Sequence, residues 1–373
     1  MQQTAVFPGR YVQSDNALAL LGDEIARLGR HALLIAGGSA ARSILPERLP
    51  AWREKFRVAV EHFGGECSEP EIERLEKIAL GQGCDVVIGM GGGKVIDAAK
   101  AVGHAAKARV AIVPTIASTD APTSAVAVIY DAAGAFSHYE FLPRNPDLVL
   151  MDTSVIAAAP VRFLVAGMGD ALSTWFEADS CRQAQAPNQC GGVGTLAGYA
   201  IARLCYDTIL EYGEAAVMAC RMKVVTPALS HVVEANTLHS GLGFECGGLA
   251  SAHSIHNGLT QLAGTHDFYH GEKVAIGVLA GLFLADRPKR LIEEVYNFCE
   301  KVGLPTTLAQ IGLPGVTDDD LWIVARRACA EGETMHHEPC HVSPQAVLAA
   351  LKTADAYGKR RRSPAGAECQ VSS

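Results

Sequence analysis

The 373-residue chain contains no CxxC pair. Its 11 cysteines are odd in number and scattered. This excludes a paired-thiol metal ribbon or dithiol redox motif and offers no disulfide framework, so buried thiols in a reducing compartment are expected. Long apolar runs are also missing. The longest, VAIGVLAGLFLA beginning at Val274, falls well short of the ~20 residues that span a bilayer. The opening MQQTAVFPGR has no apolar signal core, so neither membrane nor export is expected and the chain is assigned to the cytoplasm. Basic charge is scarce: 32 Lys and Arg face 40 Asp and Glu, a net charge of -8. That argues against a nucleic-acid partner, whose phosphates would need a basic footprint. The single basic run, Lys359 to Arg362, reads as a solvated helix end before a polar tail.

With 49% hydrophobic residues the chain can bury a large core, and its length suggests two domains. HALLIAGG, RVAVEHFGG, CDVVIGMGGG, RVAIVPTI and NPDLVLMD are short Val- and Ile-rich runs bounded by Gly or Pro, the pattern of strands buried on both faces of a parallel sheet. SEPEIERLEKIALGQG lies between the second and third run, and Ser68 with Glu71 predicts a capping box ahead of an amphipathic helix. VAVIYDAAGAFSHYEF, centred on Ala133 and Gly134, predicts an antiparallel hairpin. After Asp152 the strand signals give way to long Ala- and Leu-rich segments. The expected architecture is therefore an α/β domain over residues 1–157 and an all-helical domain over residues 158–373.

Two loops leave the carboxyl ends of expected strands, where ligands bind in open parallel sheets. The first, GMGGGKVIDAAK (Gly89 to Lys100), passes from strand to helix. The amides and positive dipole end of that helix favour an anion, and the glycines let a diphosphate approach the backbone. It matches neither the Walker A pattern nor the Rossmann G-x-G-x-x-G register. A Gly-rich turn is the plain structural alternative, and Asp97 with Lys100 reads as a surface i,i+3 pair. The second loop, PTIASTDAPTSA, gathers hydroxyls around one carboxylate, Asp120; a polar loop of local turns is its alternative reading. Further along stand Asp170, His253 and His270, far apart in sequence and without a local metal motif. One carboxylate and two imidazoles can hold a divalent metal and leave positions open for a substrate. Equally, each histidine suits a hydrogen-bonded place in a core.

The segments GGGKVIDAAK, PTIASTDAPTSA, VIYDAAG, GMGDALSTWFEA, VEANTLHSGLGFECGGLASAHSIHNGL, FYHGEKVAIG and ACAEGETMHHEP resemble, in order and spacing, the glycerol dehydrogenases of the iron-containing alcohol dehydrogenase superfamily. The resemblance implies an N-terminal nucleotide-binding domain, a helical C-terminal domain and an active site between them. It makes Asp170, His253 and His270 the metal ligands. The nucleotide would meet Gly92, Gly93, Lys94, Thr115, Ser118, Ser124, Val126 and Tyr130, and Asp120 would hold a substrate hydroxyl. The implied reaction is reversible oxidation of glycerol, or a similar vicinal diol, to dihydroxyacetone with hydride transfer to NAD. The implied assembly is a homo-oligomer, an octamer.

Two departures qualify the resemblance. Iron-dependent relatives carry a further histidine four residues after the aspartate, where this chain has Thr174, which favours Zn2+ over Fe2+. NAD-dependent relatives commonly place an Asp after the HALLIA strand, where this chain has Gly37, Gly38 and Ser39 with Arg42 nearby; without that carboxylate NADP is also accommodated. His256 is expected beside His253 as a supporting or substrate contact. His336, His337, Cys340 and His341 form a rival cluster that reads as a cleft-edge loop. Dehydroquinate-synthase-like lyases and glycerol-1-phosphate dehydrogenases share the architecture, but they need cations around a substrate phosphate, and only Lys273 lies near the expected ligands in sequence.

Overall fold

Runs such as ALLIA, after His31, and VVIGMG carry no polar side chain and can be satisfied only between two helical layers. In the computed structural model, which describes residues 2–131 and 136–362, they lie inside a six-stranded parallel sheet. Its strands are β1 (Tyr11–Ser14), β2 (His31–Ala36), β3 (Arg57–His62), β4 (Val86–Gly91), β5 (Arg109–Pro114) and β8 (Leu148–Asp152), ordered β1-β8-β5-β4-β2-β3. The five expected strands are β2, β3, β4, β5 and β8. The edge strand β1 was not expected, because YVQS is four residues long and half polar. β6 (Val126–Tyr130) and β7 (Phe136–Phe141) pair antiparallel as a separate two-stranded sheet, Val126 opposite Phe141 and Val128 opposite Tyr139. The expected turn centre, Ala133 and Gly134, lies outside the described residues.

Two local expectations are corrected. Ser68 does stand at the N-cap of the Glu69–Gln82 helix, but its side chain caps nothing. Glu71 instead accepts the Gly64 amide at 2.8 Å and pairs with Arg74 at 2.8 Å; the guanidinium outcompetes the reciprocal bond that a capping box requires. Asp97 and Lys100 are not a surface pair. Their side chains are 7% and 1% exposed, and they form a 2.9 Å ion pair inside the protein. Lys100 also donates to the carbonyls of Ala121, at 2.9 Å, and of Val126. A charge buried this deeply needs such partners, and together they moor the polar loop to the glycine-loop helix (Gly93–Ala105).

Among the described residues no sheet strand follows Asp152. The chain continues into the aspartate helix (Val161–Ala184), a long Leu196–Arg221 helix, the first histidine helix (Ser251–Leu259) and the second histidine helix (His270–Leu284). The longest apolar run forms most of the second histidine helix, and most of it is buried against the other helices. Its hydrophobicity is that of a central core helix. Among the described residues no helix is long and apolar enough to cross a membrane. The described cysteines are free thiols, six of them buried.

Candidate active site

Asp170 and His270 each have a glycine neighbour, and those glycines let two helices touch. A Cβ on Gly271 would lie 1.8 Å from the Ala166 carbonyl oxygen, and one on Gly169 would lie 2.3 Å from the carbonyl oxygen of Gly271. Backbone therefore meets backbone where the aspartate helix crosses the start of the second histidine helix. That start is held by Glu272, which accepts the Tyr269 amide at 2.8 Å and forms a two-pronged bond with Arg162 at 2.7 and 2.9 Å.

At the crossing Asp170, His253 and His270 converge, and they offer one ligand atom each within 4.8 Å of one another. Asp170 Oδ1 lies 3.2 Å from His270 Nε2 and 3.6 Å from His253 Nε2. These values bracket the separation of about 3.4 Å between tetrahedral ligands that sit ~2.1 Å from an ion. Three further observations fit a divalent cation. Asp170 is fully buried, yet its Oδ1 accepts no hydrogen bond. Burial would push the Asp170 carboxyl up, but His270 and His253 outweigh it and hold it below the usual range. Nearby, burial and the Asp170 charge raise the Asp120 carboxyl well above its ordinary value, a like-charge penalty that a bound dication would remove. The cluster opens on the side of His270, whose side chain is 35% exposed.

Each imidazole is backed by an acceptor. His253 Nδ1 lies 2.6 Å from Glu177 Oε2, so a hydrogen belongs on Nδ1 and Nε2, which faces Asp170, is the atom that would serve a metal. His270 Nδ1 lies 3.0 Å from His256 Nε2. Burial, with His270 and Lys273 close by, keeps His256 well below its ordinary pKa and hence neutral, so its Nε2 can accept. His256 thus supports His270, the other of the two histidines, although it shares a helix with His253.

The polar loop after β5 joins this cluster to the glycine turn. The Asp120 amide donates to Asp170 Oδ2 at 3.2 Å, and Asp120 Oδ2 accepts Ser240 Oγ at 2.8 Å. One residue earlier, Thr119 Oγ1 lies 3.8 Å from where a Cβ on Gly93 would stand. From the helical side, Asn236 Nδ2 donates to the Ala117 carbonyl at 3.1 Å and Thr123 Oγ1 to the Thr237 carbonyl at 3.1 Å. Asn236 and Thr237 belong to one turn of π-helix, Ala235–His239, the irregularity that often re-aims side chains at functional sites. Neither they, Ser240 nor Glu177 was expected as part of the site. For Glu177 a signal existed, since it lies seven residues and two turns after Asp170; for the π-turn the sequence carries none.

The residues expected around the nucleotide gather on the sheet side. Gly92 is the N-cap of the glycine-loop helix and Gly93 its first residue. The Thr115 amide donates to the Gly91 carbonyl at 3.0 Å, and Ser124 is buried while Ser118 is partly so. Lys94 Nζ sits 5.0 Å above the Tyr130 ring and 2.6 Å from Glu66, so its charge already has a partner. The Val126 carbonyl is engaged by Lys100. Arg42 Nη1 lies 3.1 Å from where a Cβ on Gly38 would stand, folding the guanidinium over that glycine. Thr174 bonds Ser240 Oγ at 2.8 Å. In the rival cluster, His336 contacts the Ala330 carbonyl, His337 the Leu249 carbonyl and Cys340 the Leu284 carbonyl, and these residues are absent from the metal-competent group among the described residues. Lys273 is buried, with Nζ 3.4 Å from the Thr265 carbonyl.

Comparisons with known proteins agree with this architecture. The iron-containing alcohol dehydrogenase family matches residues 8–153. A glycerol dehydrogenase of Thermotoga maritima is 58% identical over 362 residues, covering 97% of this chain and 99% of the relative. A glycerol dehydrogenase of Citrobacter freundii is 50% identical, covering 95% of this chain and 97% of the relative. The crystal structure of glycerol dehydrogenase from Schizosaccharomyces pombe superposes with a TM-score of 0.93 at 39% identity, covering 96% of this chain and 92% of that one.

Proposed function

Because the chain belongs to the iron-containing alcohol dehydrogenase family, we propose that this oxidoreductase reversibly oxidises glycerol, or a closely similar vicinal diol, to dihydroxyacetone with NAD and Zn2+. The observation that carries the reading is the meeting of Asp170 Oδ1, a buried oxygen without a hydrogen bond, with two imidazole Nε2 atoms beside Asp120. Asp170, His253 and His270 would hold the metal, which when bound supplies a Lewis acid that lowers the pKa of an alcohol. The glycine turn at Gly92 and Gly93, with Thr115, Ser118, Ser124, Val126, Lys94 and Tyr130, would hold the dinucleotide, whose nicotinamide ring supplies the hydride acceptor.

The chain's own groups then select the substrate. Asp120 is oriented by Ser240 at 2.8 Å and by its backbone contact with Asp170. It would accept a hydrogen bond from a second hydroxyl, which favours a vicinal diol over a plain alcohol. Arg162 and Arg327 are each paired with a carboxylate, Glu272 and Glu333, and Lys273 is buried with Nζ toward the Thr265 carbonyl, which disfavours a phosphorylated substrate. In this division of labour residues 1–157 serve the dinucleotide and residues 158–373 the metal, in a cytoplasmic homo-oligomer, an octamer by resemblance. The test is metal-stripped protein reloaded separately with Zn2+ and Fe2+, then assayed with NAD and with glycerol, 1,2-propanediol and 2-propanol. Zinc-restored activity highest on the diols is expected; restoration by iron and not by zinc, or no preference for diols, would refute the assignment.

A further inference from the structure

Glu177 is one of the most buried carboxylates in the protein, 1% exposed, and nothing in the reaction above uses it. Seven residues separate it from Asp170 on the aspartate helix. At 3.6 residues per turn both carboxylates therefore lie on one face. Its three hydrogen bonds go to a single target, the start of the first histidine helix. Oε1 accepts the amides of Ala250, at 2.9 Å, and of His253, at 3.0 Å, while Oε2 lies 2.6 Å from His253 Nδ1. Residue 250 is the N-cap of that helix, and an alanine there has no side chain with which to cap. The carboxylate thus replaces the missing cap with one oxygen and grips the imidazole with the other.

We propose that Glu177 is the positioning residue of the metal centre: it fixes the tautomer and ring orientation of His253 so that the Nε2 lone pair points at the cation site beside Asp170. The inference rests on the metal-centred reading above and deepens it. Its chemistry is specific to an ionised carboxylate. A glutamine of the same shape has one acceptor and one donor. If its oxygen faces Nδ1, its NH2 opposes the two backbone amides. If it is flipped, the NH2 donates to Nδ1, the ring hydrogen moves to Nε2 and the ligand lone pair is lost. Outer carboxylates that hold a ligand histidine are generally worth ten- to a hundredfold in metal affinity.

Glu338 supplies the control. It accepts the Ser251 amide at 3.1 Å, one residue from the same helix start, and bonds Ser180 at 2.8 Å. Full-length wild type, E177Q and E338Q are stripped and titrated with Zn2+ against a chromogenic chelator, and the stripped forms are unfolded in urea. The expected result is a zinc dissociation constant ten- to a hundredfold higher in E177Q and within twofold of wild type in E338Q, with both variants losing stability. Zinc binding by E177Q within twofold of a metal-binding wild type would overturn the inference alone, as would an equal loss in E338Q, which would trace the effect to the helix start. A wild type that takes up no divalent metal would overturn the metal-centred reading as well. Independently of any variant that fails to fold, histidine-labelled wild type loaded with zinc should show His253 protonated at Nδ1 by 15N chemical shift; protonation at Nε2 would overturn it.

Discussion

Replacing Gly271 with alanine tests whether helix contact, and not the ligands alone, builds the site. The added Cβ would stand 1.8 Å from the Ala166 carbonyl oxygen and 2.9 Å from the Asp170 amide nitrogen. Both are backbone atoms, so no side chain can rotate aside. An ordinary carbon-to-oxygen contact is about 3.3 Å, so the two helices must part by roughly 1.5 Å. Metal-ligand distances tolerate only about 0.2 Å, and the separation falls between Asp170 and His270. Overpacking costs about 1–3 kcal/mol, here at the upper end, while exchange of a helical glycine returns at most about 1 kcal/mol. The expected net loss is about 2 kcal/mol in urea unfolding of the stripped protein, together with at least a tenfold weaker zinc dissociation constant, equivalent to about 1.4 kcal/mol. Gly81→Ala, in the exposed end of a helix with nothing within 4 Å of the new Cβ, should be neutral or stabilising by up to about 1 kcal/mol. If G271A melts like wild type and binds zinc as tightly, the close crossing is not what sets the ligand geometry.

Three other outcomes are expected. With the metal bound and the carboxyl ionised, Asp120→Ala removes a charged hydrogen-bond acceptor worth about 1.5–3 kcal/mol, so kcat/KM for glycerol should fall ten- to a hundredfold and that for 2-propanol far less; equal losses would remove the role given to Asp120. Arg42→Ala should depress kcat/KM with NADP at least tenfold more than with NAD, because the guanidinium over Gly38 is the group placed to meet a 2'-phosphate; steady-state rates with both coenzymes decide it. Burial pushes the Glu245 carboxyl up from 4.5 to about 7. The folded chain therefore keeps a proton that the unfolded chain releases, and this contribution is fully present below pH 4.5 and lost as pH rises through 7. Between pH 5 and 8 the loss is about 2–3 kcal/mol, and urea midpoints of Glu245→Gln should show a correspondingly flatter pH dependence than wild type. Parallel profiles would refute the assignment.

Buried parallel strands were legible because they are runs of apolar residues with nowhere else to go, and HALLIA and VVIGMG lie inside the sheet accordingly. β1 was invisible because YVQS has neither length nor pattern. Side-chain competition was harder still: spacing alone made Glu71 a capping partner, whereas Arg74 and the Gly64 amide hold it. The same limit made Asp97 and Lys100 look like a surface pair, since nothing in an i,i+3 spacing reports that a hairpin strand will cover it. Asp170, His253 and His270 were singled out as residue types and by resemblance, and the structure brings their ligand atoms together. Gly169 and Gly271, each beside a ligand, are the sequence trace of that meeting, readable only once the two helices are known to cross.

The loop from Ala117 to Val126 is riveted on both sides, by Lys100 to the glycine-loop helix and by Asn236, Thr237 and Glu245 to the helical half. Were the two halves to part, this doubly anchored loop would be the line about which they turn, as a door turns about its pin. Points far from that line would sweep wide arcs, while Asp120 and Asp170 beside it, joined by a hydrogen bond, would keep their separation. An opening of that kind would admit and release a bulky coenzyme at the outer rim without disturbing the atoms at the pivot.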